Sequence, residues 1–195
     1  MKKIYCLLIV IFFSSISLAN ESKTIVIKAK NGKVVELKDS TDLVDDGVSD
    51  SHLVNYLSYS IDEINSIYNY AIITEWGYEG HGNALLSLDS GKYTNFSGYP
   101  YFSSTGKHIV VANVDLAAGY TDNALKIYRV EAGNFILEYD AKPSEKWGPS
   151  SVKWLSPTVV EFTEDTYECY MENLKPCAKY LVTYQNKIWI KQLVK

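Results

Sequence analysis

Short apolar runs separated by polar turns make up most of this chain, and two stretches break the pattern. The first is residues 4–13, ten consecutive apolar residues preceded by Lys2 and Lys3 and followed by a small, weakly polar stretch ending Ser17-Leu18-Ala19. A positive start, a short apolar centre and a small-x-small end are the marks of a secretory signal, here with cleavage after Ala19. Ten residues are about half of what a bilayer span requires, so an anchor is the weaker reading. Cys6 lies at the start of the run and not at the cut, which argues against a lipoprotein. The expectation is a signal peptide over residues 1–19 and one exported β-repeat domain over residues 20–195, in the periplasm or secreted. The second stretch is residues 52–68, where Leu53, Leu57, Ile61, Ile64 and Tyr68 fall at helical spacing and Ser60 with Glu63 suits a capping box. This spacing predicts one short helix near 52–68.

Everywhere else the runs are rich in Val, Ile, Tyr and Phe and end in Gly or Asn turns, which predicts strands. Asn31-Gly32, between two apolar runs in residues 24–37, is the strongest hairpin signal. Further strands are expected over residues 108–113, 125–130, 135–139, 158–163, 180–184 and 188–193. The runs also repeat. Ala71-Ile72-Ile73, a loop and Asn83-Ala84-Leu85 match Ile109-Val110-Val111, a loop and Asn123-Ala124-Leu125, with the two Asn-Ala-Leu triplets 40 residues apart. A degenerate third copy joins Val159-Val160-Glu161-Phe162 to Tyr180-Leu181-Val182. Four strands per unit at a period of 40 to 55 residues is the size of a propeller blade. Mainly β structure is therefore expected, as a small or incomplete β-propeller-like repeat of antiparallel four-stranded units, with a β-sandwich as the alternative.

The segment Tyr101-Phe102-Ser103-Ser104-Thr105-Gly106-Lys107-His108-Ile109-Val110-Val111 resembles the WD-like β-propeller repeat of bacterial periplasmic proteins, the Tol-system propeller type. That family repeats Phe-Ser-Pro-Asp-Gly-Lys-x-Ile before an apolar strand; here Ser104 replaces Pro and Thr105 replaces Asp. Trp154-Leu155-Ser156-Pro157 is a second, partial copy without the Gly-Lys. The resemblance covers about residues 70–195 and implies blades and a periplasmic setting. Three units plus the N-terminal hairpin fall short of the usual four blades.

Composition sharpens this picture. With 47% hydrophobic residues, 11 Gly and 5 Pro, the chain is neither disordered nor collagen-like. Without residues 1–19, 17 Lys and Arg face 23 Asp and Glu, a balance of −6 that disfavours nucleic acid or an anionic membrane as partner. The charge is polarised: residues 39–91 hold ten carboxylates and no Lys or Arg. Such a field would steer a basic protein partner. Removing the signal leaves Cys169 and Cys177, which an oxidising compartment is expected to join, contributing roughly 2–3 kcal/mol by loop entropy.

Candidate chemistry is sparse. His52, His81 and His108 are far apart without metal-ligand spacing, no carboxylate pair stands out and no G-x-S-x-G elbow occurs. The Gly-rich string 77–83 precedes a strand and not a helix, so it is read as a hairpin tip and not a phosphate cradle. No cofactor, no metal and no catalytic residue is expected. The within-unit loops 74–83, 113–123 and 163–178, together with connections 97–100 and 141–150, are expected on one face of the scaffold, where binding concentrates. They supply the candidate binding residues Trp76, Tyr78, Glu79, His81, Tyr120, Asp122 and Trp147. The expected function is non-catalytic binding of a macromolecule, in its sharper form as an inhibitor or immunity protein for a cell-wall hydrolase or toxin. The alternative is a small periplasmic hydrolase using the His81 loop.

Overall fold

The computed structural model describes residues 9–11, 23–44, 53–77, 80–170, 172 and 177–194. Its strands are β1 (Ile9–Ile11), β2 (Thr24–Lys28), β3 (Val34–Lys38), β4 (Ser40–Val44), β5 (Leu53–Asn65), β6 (Tyr70–Gly77), β7 (His81–Ser87) and β8 (Tyr93–Phe96). They continue as β9 (Tyr99–Phe102), β10 (His108–Asn113), β11 (Ala124–Glu131), β12 (Asn134–Asp140), β13 (Trp147–Ser156), β14 (Val159–Thr166), β15 (Ala178–Gln185) and β16 (Ile188–Leu193). One helical turn, α1 (Tyr167–Tyr170), interrupts them. The chain is mainly β, in four open antiparallel sheets ordered β1-β2-β3, β4-β5-β6-β7-β8, β12-β11-β10-β9 and β13-β14-β15-β16. The repeat therefore marks real units: its paired runs are the two central strands of successive meanders β5–β8, β9–β12 and β13–β16. Both propeller-like segments fall at the turn between the first and second strands of a meander, β9–β10 and β13–β14.

Two compact units, Met1–Asn95 and Phe96–Lys195, contain these sheets. In the first, the β2–β3 hairpin lays Ile25, Ile27 and Leu37 on Ala71, Ile73, Ala84 and Leu86 of β6 and β7. The expected Asn31-Gly32 turn is there, as a longer loop from Ala29 to Lys33 in which Gly32 takes φ 91°. It is clipped to the neighbouring sheet by Lys30 N donating to Leu88 O and by the Lys30–Asp89 ion pair at 2.8 Å. In the second unit, Val110, Ala112, Leu125 and Ile127 pack on Val160, Phe162, Val182 and Trp189. The alternate residues of the central strands, Ile72, Leu85, Ile109 and Val111, are buried as well. Burial on both faces is why these strands read as unbroken apolar runs and not as alternating ones.

The helix expected near 52–68 is a strand, β5, and a β-bulge explains the misleading spacing. Leu57 and Ile61 pair with Gly77 and Ile73 on one face of the sheet. The register then shifts between Ile61 and Glu63, so Ile64, opposite Ala71, falls on that same face after three residues where a regular strand needs two or four. An apolar series of 57, 61 and 64 thus mimics helical periodicity. Tyr59 and Ile61 pack against the first core, and Ser60, the expected cap, binds Asp62 and Trp76 side chains instead.

A polar joint links the two sheets of the second unit. Glu138 on β12 accepts from Trp189 Nε1 at 3.1 Å and Arg129 Nε at 2.8 Å, and His108 Nε2 lies 3.4 Å away. The imidazole sits among Trp154, Tyr184 and Trp189, with ring centroids 5.4–6.3 Å apart. Burial pushes its pKa below the ordinary imidazole value; Glu138 opposes that shift and Arg129 adds to it.

Gly98, just before β9, has no room for a side chain, since a Cβ would lie 2.4 Å from the Ala112 carbonyl oxygen. Gly98→Ala is expected to lower unfolding free energy by roughly 1–3 kcal/mol in chemical denaturation; wild-type stability would contradict this packing. Because the folded pKa of His108 lies below its unfolded one, the unfolded chain binds more protons between the two. Stability is then full above about pH 6.5 and declines as pH falls through that window. His108→Gln should melt lower at pH 7.5 yet lose less on acidification to pH 5; parallel profiles for the two proteins would refute the assignment.

Candidate functional site

The expected binding residues fall into separate groups. Trp76 and His81 are cross-strand partners at the turn end of the β6–β7 hairpin, with ring centroids 5.3 Å apart. Both belong to strands, because β6 runs to Gly77 and β7 starts at His81, leaving a shorter connection than the 74–83 loop expected. Trp76 is 47% exposed and its Nε1 donates to Ser60 Oγ at 3.1 Å. Ser60 in turn donates to Asp62 Oδ1 at 3.0 Å, and Thr74 Oγ1 bridges Asp62 and Asn83. The indole is thus an exposed ring with a fixed edge, two hydrogen bonds from an exposed carboxylate. Tyr56, 44% exposed, adds a third ring to the unit's surface and donates to Ser58. Tyr78 and Glu79 lie outside the described residues. Among the described residues no Ser, Cys or carboxylate hydrogen-bonds His81, whose ring packs against Trp76.

Tyr120 and Asp122 occupy the β10–β11 loop of the second unit. Asp115 holds that loop from within: its carboxylate accepts N–H bonds from Ala118, Gly119, Tyr120 and Thr121 at 2.8–3.1 Å. Partial burial acts to raise the Asp115 pKa, but the four donors outweigh it and hold the carboxyl below its ordinary range. Asn123 ties the loop outward, accepting from Asp115 N at 2.6 Å and donating to Ser144 O at 2.9 Å. Of the repeated asparagines, Asn123 thus anchors the connection of its meander, while Asn83 bonds Thr74, its cross-strand partner. Tyr120, 66% exposed, stands on this braced loop.

The same two loops, 113–123 and 141–146, border a cleft of about 800 Å³ that also reaches Ser97. The connection expected over 141–150 is shorter, since Trp147 already begins β13. Trp147 is half-buried, stacks on Phe162 at 6.3 Å and lies under Lys191 Nζ at 4.5 Å, while Lys191 pairs with Glu164. Its ring is absorbed into the joint between the sheets.

Cys169 and Cys177 are disulfide-bonded, with Cα atoms 5.1 Å apart, closing the end of the β14–β15 connection. Tyr167 and Tyr170 of α1 are exposed beside them. Asp165 with these two cysteines is the one group of potential metal ligands among the described residues, and the sulfurs are committed to each other.

Sequence reasoning missed the supporting residues Ser60, Asp62 and Asp115. Of these, Asp115 carried a readable signal, an aspartate opening a glycine-containing loop, which favours side-chain capture of nearby backbone N–H groups. Asp115→Asn replaces one acceptor oxygen with a donor facing N–H groups. Hydrogen exchange at residues 118–121 is expected to accelerate roughly tenfold, the scale of one charge-assisted bond, with β10 and β11 unchanged. Unaltered loop protection would show that Asp115 does not shape the loop.

No helix among the described residues is long and apolar enough to cross a membrane. No protein-family model, curated protein or solved structure matches the chain, so the functional reading stands on these residues alone.

Proposed function

We propose that the protein is an exported, non-catalytic binding protein that captures a basic protein partner on the first unit, around Trp76 and His81. The observation that carries this reading is the exposed Trp76–His81 pair, whose indole edge is fixed by Ser60 beside the Asp62 carboxylate. An aromatic face with a carboxylate next to it suits a Lys or Arg side chain, which gains cation–π and ion-pair attraction together. The surrounding sequence supplies the long-range field, ten carboxylates and no Lys or Arg over residues 39–91, with Asp89 paired to Lys30 from outside the span. Because both rings rest on paired strands, little conformational freedom is lost on binding.

An inhibitor or immunity protein directed at a basic cell-wall hydrolase or toxin is the sharper form of the proposal. The signal-like residues 1–19, the resemblance to periplasmic propeller repeats and the disulfide all accord with export. A bound partner would be blocked by surface coverage, which requires no catalytic group on this chain.

Affinity capture from periplasmic extract tests the reading. Wild-type protein should begin at Asn20, the cut removing β1 and leaving the β2–β3 hairpin, and retain a basic protein that elutes as salt rises. The variant carrying Trp76→Ala, Tyr78→Ala and His81→Ala, if its melting temperature is unchanged, should retain at least about tenfold less, the loss of one aromatic hot spot. Equal recovery by both proteins would overturn the proposal.

A further inference from the structure

The cleft of the second unit has a charge pattern of its own. Of the four carboxylates on its wall, Asp115 is taken up by its own loop, where four backbone N–H groups and Thr121 Oγ1 surround it. The groups left for a ligand are then balanced: Lys126, Lys142 and Lys146 against Asp122, Asp140 and Glu145. None of the three lysine ammonium groups forms an ion pair among the described residues, although Lys126 and Asp140 are register partners on β11 and β12. Both borders of the cleft are braced, by Asp115 within one loop and by Asn123 between the two. Leu116, Ala117, Ala118 and Pro143 add apolar surface to this polar wall. A volume of about 800 Å³ lies in the range that encloses a small organic ligand.

A single anion would meet three carboxylates here, and a single cation three ammonium groups. A molecule carrying opposite charges at its two ends meets neither penalty. We infer that this cleft binds a short peptide segment with free ends, its carboxylate taken by the lysines and its ammonium by Asp122, Asp140 or Glu145. Side chains of small residues would rest on the alanines and Pro143. The site is distinct from the Trp76–His81 surface and does not depend on the function proposed for it.

Titration of the full chain with tri-alanine, followed by backbone amide NMR, tests the inference. Tri-alanine with free ends should produce saturable shifts confined to residues 115–126 and 140–146. N-acetyl-tri-alanine amide, which lacks both charges, should bind at least about tenfold more weakly, as should tri-alanine to the Lys126→Ala, Lys142→Ala variant. The blocked-peptide comparison needs no variant and so stands even if the substitutions impair folding. Acetate alone reproducing the shifts at equal concentration would make this a simple anion site and overturn the inference. Equal binding of blocked and free peptides, or the absence of shifts at these residues, would do the same.

Discussion

Burial of sheet against sheet is the constraint on which the rest of this protein depends. A four-stranded meander has two faces, and one left in water would expose a slab of Val, Ile and Leu. Phe162, Val160 and Val182 on one sheet and Val110, Leu125 and Ile127 on its neighbour remove those faces from solvent together. The β2–β3 hairpin does the same for β6 and β7 in the first unit. Close approach then dictates local sequence. Gly98 must lack a side chain because the Ala112 backbone occupies the place of its Cβ, and Gly148 meets Val114 and Asn123 in a similar way.

Much of the aromatic content serves these joints. His108, Trp154, Tyr184 and Trp189 fill one, with Glu138 accepting the ring N–H of Trp189 and the guanidinium of Arg129. Trp147, Phe162 and Tyr180 belong to the same core and are capped by the Lys191 ammonium, itself neutralised by Glu164. The rings that remain exposed among the described residues, Tyr56, Trp76, Tyr101, Tyr120, Tyr167 and Tyr170, are consequently the informative ones. A rigid interior allows the loops to be polar and shaped by a few bonds, as Asp115 and Asn123 show.

The strands and turns were legible because they rest on local chemistry: β-branched runs, Gly and Asn turns, and a repeat that places equivalent residues on the central strands of each meander. The cysteine pair followed from counting the cysteines left after residues 1–19 in a chain read as exported. The expected helix near 52–68 failed because a bulge changes the apolar period within one strand, and a bulge leaves no composition signal of its own. Trp147 looked like a loop residue because Gly148 and Pro149 follow it, yet both sit in β13, with Gly148 where Val114 and Asn123 come too close for a side chain. The cleft could not be read at all. Its walls are about 20 residues apart in sequence and meet only through pairing of β11 with β12 and the reach of Asn123.

Function is here a matter of which groups the scaffold leaves exposed. The first unit presents a braced indole beside carboxylates in a segment without basic residues, and under the proposed function that combination would make two separable contributions to binding. Long-range attraction acts on encounter, whereas ring contact acts on residence. The most direct measurement is the association and dissociation rate of the captured partner at about 15 and 150 mM salt, for wild type and Trp76→Ala. The account predicts a wild-type association rate that falls at least about tenfold over this range, with Trp76→Ala keeping that salt slope and dissociating faster. An association rate indifferent to salt, or a dissociation rate indifferent to Trp76, would contradict it.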